Sequence, residues 1–357
     1  MNRETSVYLD LVRFIAAMIV MFSHLGDSKW TGGVGWQTVP FGVFAVTAFF
    51  VLSGYVIAFA AATKERDPGS FVLHRLARIY SVALPALALS LLLTLLADTV
   101  LPARSVHWGS DPASVYMSSA LFLNQIWFFD VTPDNNGPYW SLGYEAWYYI
   151  IFGLSVFVRG SWRFWLTGAA MIIAGPRILL MLPVWLTGTL AYKFTRQCKV
   201  PKYVAFGAWI TTTLAILALA YWQLCDALAC DCWPQAAHSR PLNAFGQYLE
   251  DYLIGLLFAL NFVALHFSAP LWKNIAAFFE KPVRWLAGAS FTIYLMHYPI
   301  ALFLIAASPW PVGTLLEQAF VTAGTIIAVF ALAEVTERKK AAWRSALSRL
   351  FGKAVAY

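Results

Sequence analysis

Apolar runs of about twenty residues recur along this chain, separated by short polar stretches rich in Gly, Pro, Asp and basic residues. About twenty apolar residues make a helix long enough to cross roughly 30 Å of hydrocarbon. Ten such helices are predicted, near 6–25, 41–62, 79–99, 138–158, 162–176, 178–195, 203–223, 248–268, 285–307 and 313–334. The fifth is short and runs into "AGPR" at 174–177. The expected fold is all-α, a polytopic membrane protein in the lipid bilayer. A further apolar stretch, "SVYMSSALFLNQIWFF" at 114–129, is expected to lie as a short helix at the outer interface.

Composition agrees. Hydrophobic residues make up 60% and charged residues 12% of the 357, against roughly 25% charged in a soluble domain. The net charge of +7 is explained by orientation rather than by nucleic acid. With the N-terminus inside, twenty of the 25 Lys and Arg residues fall in cytoplasmic segments, while Lys29, Arg104, Arg177 and Arg240 lie outside and Arg13 lies within a helix. Cytoplasmic loops are enriched in Lys and Arg, so both termini are expected inside. Residues 1–337 form the expected transmembrane domain and 338–357 a basic cytoplasmic tail. The first helix lacks a small-residue cleavage site after its apolar run, so it is expected to be retained. Cys225, Cys230 and Cys232 share an outer loop, where one disulfide is expected as a loop staple. No metal-ligand pattern is seen.

Polar residues inside the apolar runs are the candidates for chemistry, because charge at membrane depth is costly unless it is paired or faces a cavity. In "YLDLVRFIAAMIVMFSHLG" (8–26), Arg13 and His24 are eleven residues apart. That separation is about 1100° of helical rotation and about 16 Å of rise, so both lie on one face. Asp10, three residues before Arg13, can neutralise it. The competing reading places Asp10 and Arg13 in the inner interface and leaves His24 as an end cap. In "HRLARIY" (74–80), Arg75 and Arg78 can converge on one phosphate, though orientation alone also asks for basic residues there. In "NNGPYWSLGYEAWYY" (135–149), Glu145 sits about 10 Å into a helix and needs a partner. In "SFTIYLMHYP" (290–299), His297 shares a face with Ser290 and Tyr294, and Pro299 is expected to kink the helix. The Ser-Gly pair in "FFVLSGY" (49–55) is expected to serve close helix packing.

These motifs resemble, in order and over nearly the whole chain, the acyltransferase 3 family of bacterial membrane acyltransferases. The resemblance rests on "LDLVRFIAAMIVMFSH", "FFVLSGYVI", "FVLHRLARIY", "WSLGYE" and "SFTIYLMHYPI". Ser81, Ala146, Trp147 and Met296 depart from the usual pattern. The resemblance implies transfer of an acyl group, often acetyl, from cytoplasmic acyl-CoA to a hydroxyl of an extracytoplasmic glycan or glycolipid at the bacterial inner membrane. It further implies that Arg13 and His24 are essential, that Arg75 and Arg78 help hold the donor, and that Glu145 belongs to the catalytic surround. Lys64 is expected to stand near the donor phosphates beside the two arginines, and Arg13 along the path of the donor's pantetheine arm. Asp10 and His297 complete the expected site. Two alternatives stay open: a carrier or exporter of a glycan intermediate, and an acyltransferase acting on a small-molecule glycoside.

Overall fold

The computed structural model describes residues 1–100, 111–133, 135–230 and 245–350. Among these, all regular structure is helical: α1 (Arg3–Leu25), α2 (Ser28–Thr31), α3 (Gly42–Thr63), α4 (Pro68–Val100), α5 (Pro112–Ala120), α6 (Trp140–Phe157), α7 (Trp162–Ala174), α8 (Pro176–Gln197), α9 (Lys202–Cys230), α10 (Phe245–Ser268), α11 (Lys273–Ala287), α12 (Ser290–Ala307), α13 (Leu315–Val335) and α14 (Lys340–Leu350). Among the described residues, eight helical segments are long and apolar enough to cross a membrane. The two expected spans outside that set are α6 and α7. Five Trp and Tyr residues and Glu145 lower the apolarity of α6, and the 13 residues of α7 reach only about 20 Å at 1.5 Å per residue.

The chain divides into two compact units: 1–23, 37–64 and 180–290 in the first, and 24–36, 65–179 and 291–357 in the second. In the first, α10 packs along α9 and α3. Gly54 and Gly188 bring α3 and α8 to backbone contact, since a Cβ at Gly188 would lie 1.9 Å from the Val51 carbonyl oxygen and one at Gly54 2.0 Å from that of Trp185. The neighbouring Ser53 accepts a hydrogen bond from Trp185 Nε1 at 3.2 Å, so the Ser-Gly pair is a packing device. Polar groups here are matched across helices: Tyr8 donates to Asn261 at 2.6 Å, and the Asn261 amide donates to Thr212 and Thr213.

In the second unit α6 packs on α4 and α7, and α14 lies along α4. Part of the expected basic tail is therefore a docked helix. The expected interfacial helix over 114–129 is shorter than its apolar pattern, ending at Ala120. Beyond it the chain turns back with Phe122 and Trp127 in left-handed conformations, because Asn124 donates to the Val131 carbonyl and the Trp127 N–H to the Ala174 carbonyl. Trp127, Phe128 and Phe129 remain exposed, as suits an interfacial belt. Cys232 and the side chains of Cys225 and Cys230 lie outside the described residues, and so does the disulfide expected among them.

Candidate functional site

The second unit joins two histidines from opposite ends of the sequence. His24, in the last turn of α1, is 2% exposed and His297, midway along α12, is 0% exposed. His297 Nε2 and His24 Nδ1 are 3.1 Å apart, with ring centroids at 5.2 Å. The proton positions follow from their neighbours. His297 Nδ1 lies 2.7 Å from the Ile293 carbonyl oxygen, which can only accept, so Nδ1 carries the hydrogen. With both rings neutral, His297 Nε2 is then an acceptor, His24 Nδ1 donates to it, and the lone pair of His24 is left on Nε2. Tyr298 meets the His24 ring edge-on at 5.0 Å, and Trp30 meets Tyr298 at 4.8 Å. The imidazole is thus held on its edge and its face, and Trp30 and Tyr298 were not singled out in the sequence. Tyr298 is the immediate neighbour of His297, which was the signal available.

A second cluster in the same unit gathers the Arg-x-x-Arg motif. Arg75 Nη2 is 2.6 Å from Glu65 Oε1, and its guanidinium lies over the rings of Phe71 and Tyr149. His74 Nδ1 donates to the same Glu65 oxygen at 2.9 Å, while its Nε2 accepts from Arg344 of α14 at 3.4 Å. Arg78 hydrogen-bonds Tyr149 and feels the carboxylates of Glu145 and Glu337. Tyr149 also donates to Glu145. Glu145 thus meets Tyr149 and Arg78, while the Nδ1 of His24 is held by His297. Spacing within one helix does not reveal this, because the cation that matches Glu145 comes from α4. Glu337 also accepts from the N–H groups of Phe291 and Thr292 at 2.9 and 3.2 Å, capping α12 at its N-terminus. Arg75 is matched by Glu65 and Arg78 by Glu145 and Glu337, so a phosphate reaching Arg75 meets a cation already engaged. Arg75 Nε nevertheless lies buried with no partner among the described residues.

Asp10 and Arg13 belong to the first unit. Arg13 is paired with Asp10, whose other oxygen takes Arg284 Nη1 at 3.0 Å. Arg284 also holds Glu280, at 2.9 Å, and Arg3 pairs with Glu280. Arg13 Nε is a further buried donor with no partner among the described residues. Lys64 ends α3, exposed, with its ammonium 5.8 Å from the Phe59 ring centroid.

A cavity of about 430 Å³ in the second unit is lined by Leu93, Thr94, Asn135, Pro299, Phe303 and Trp310 among others. Pro299 is two residues from His297, about 200° round the helix, so the cavity lies behind α12 relative to the imidazole. No cluster of three metal-ligating side chains occurs among the described residues.

A helical membrane protein with a buried histidine pair and a compensated arginine cluster has the groups that proton transfer needs. The chain belongs to the acyltransferase 3 family, whose model, described as an acyltransferase domain, matches residues 6–334. It is similar to acyltransferase MdmB of Streptomyces mycarofaciens, at 29% identity over 186 residues, which cover 48% of this chain and 46% of that protein. The match thus spans about half of each. No solved structure matches the chain.

Proposed function

We propose that the protein transfers an acyl group, acetyl in the first instance, from cytoplasmic acyl-CoA to a hydroxyl of an extracytoplasmic glycan or glycolipid, in the inner membrane of a bacterium. The observation that carries this reading is the histidine pair. His297, anchored on the Ile293 carbonyl, holds His24 through Nδ1 and leaves Nε2 of His24 as the base, the arrangement that general-base catalysis of acyl transfer needs.

His24 Nε2 removes the proton of the acceptor hydroxyl as its oxygen attacks the thioester carbonyl. The C–S bond then breaks, an ester forms, and the proton on His24 passes to the leaving thiolate, which departs as CoA. Charge that develops on the ring faces the carbonyl end of α1 and spreads to His297 through the shared hydrogen bond. The buried Nε donor of Arg75 suits a phosphate oxygen of the donor, with Arg78 adding positive charge. Glu145 positions Tyr149 and Arg78 rather than the base.

The test is transfer of radiolabel from acetyl-CoA into native-host membrane vesicles by wild type and His24→Ala, both shown to be folded and membrane-inserted. Transfer by wild type alone is the expected result. Near-normal transfer by His24→Ala removes the base from the mechanism, and glycan movement across the vesicle without any acyl donor turns the assignment to a carrier.

A further inference from the structure

Pro299 lies inside α12 and has no N–H, so the carbonyl of Leu295, four residues earlier, loses its helical partner. Leu295 is 0% exposed, and a buried carbonyl without a donor costs about 1–3 kcal/mol. The donor comes from another segment. Asn136, itself fully buried, places Nδ2 3.0 Å from the Leu295 oxygen and 3.1 Å from Ser90 Oγ of α4. A carbonyl oxygen can only accept, which fixes the amide nitrogen on that side. Asn135 next to it donates to the Ser90 carbonyl at 2.9 Å and to Thr94, tying the same segment to α4. A Cβ on Gly137 would rest 3.5 Å from the Tyr298 ring, so this segment also backs the residue against which the His24 ring packs.

We propose that Asn136 is a positioning residue for the histidine pair. Leu295 and His297 are two residues apart in α12, about 200° round the helix. Asn136 therefore grips the helix from behind, at the point where Pro299 interrupts its hydrogen-bond ladder, and holds the His297 ring at hydrogen-bond distance from His24. The cost of losing it falls on the registry of two rings, not on substrate contacts. This role rests on the acyl-transfer reading for its consequence in turnover, while its consequence for the imidazoles is independent of that reading.

The experiment compares full-length wild type, Asn136→Ala, Pro299→Ala and the Asn136→Ala/Pro299→Ala double variant. Transfer from labelled acetyl-CoA into native-host vesicles gives kcat and KM, and NMR of ¹⁵N-histidine-labelled protein reports the ring nitrogens of the pair. Asn136→Ala is expected to lower kcat about tenfold or more, since small misplacement of reacting groups is costly. Its KM for acetyl-CoA stays within about twofold of wild type. The ring-nitrogen signals of the His24–His297 pair shift. In the double variant the alanine that replaces Pro299 supplies an N–H to the Leu295 carbonyl, so kcat and the ring signals return most of the way. A double variant as impaired as Asn136→Ala, or unshifted ring signals in Asn136→Ala, overturns the proposal. Should Asn136→Ala fail to fold, Asn136→Ser, which keeps one donor, is read in the same way. If wild type transfers no label, the acyl-transfer reading fails, and the ring signals alone still decide the role of Asn136.

Discussion

At the residue scale the function rests on tautomers. His297 Nδ1 donates to a main-chain carbonyl, and that single contact fixes which nitrogen of His24 acts. His24→Ala is expected to lower transfer about 10²- to 10⁴-fold, the usual worth of a positioned base. His297→Ala is expected to lower kcat less, with KM for acetyl-CoA unchanged, because it loosens the base without removing it. Vesicle assays with labelled acetyl-CoA check both, and equal losses in the two variants would show that the rings act as one unit. The His24 and His297 positions were legible in the sequence as polar residues in apolar runs. Their contact was not, since 273 residues separate them and helical periodicity speaks only of neighbours on one helix. Glu145 teaches the same lesson in reverse: it was legible as a group needing a partner, but the partners are Tyr149 on its own helix and Arg78 on α4.

At the element scale, glycine and proline decide how close the helices come and where they bend. Gly188→Ala puts a Cβ 1.9 Å from the Val51 carbonyl oxygen. Forcing α3 and α8 apart is expected to cost about 1–3 kcal/mol, as overpacking does. Gly168→Ala in α7 meets nothing within 4 Å and is expected to be neutral or to stabilise by up to about 1 kcal/mol. Thermal unfolding in detergent separates the two. Glu337→Ala removes the carboxylate that takes two N–H groups at the start of α12, with an expected loss of about 0.5–2 kcal/mol in the same measurement. The pattern of apolar positions placed the long helices well. It overran α5, because Asn124 and its neighbours spend their hydrogen bonds on a turn that no periodicity encodes.

At the scale of the whole molecule, the charge pattern predicts topology. Reporter domains fused after Arg66, Lys199 or Lys340 are expected to be active in the cytoplasm, and those fused after Lys29 or Arg240 outside. An outside signal at Lys199 would overturn the orientation. The sequence by itself determined that the chain is helical and crosses the membrane, because burial in hydrocarbon selects long apolar runs and leaves only helices or closed barrels as answers. It also determined the family, through motifs kept in order along 6–334. Only the tertiary structure decided which polar groups meet: His24 with His297, Arg75 with Glu65, Leu295 with Asn136. The physical reason is that a polar group inside a helical bundle is satisfied by a donor or acceptor from elsewhere in the chain, and packing, not spacing, chooses which one arrives.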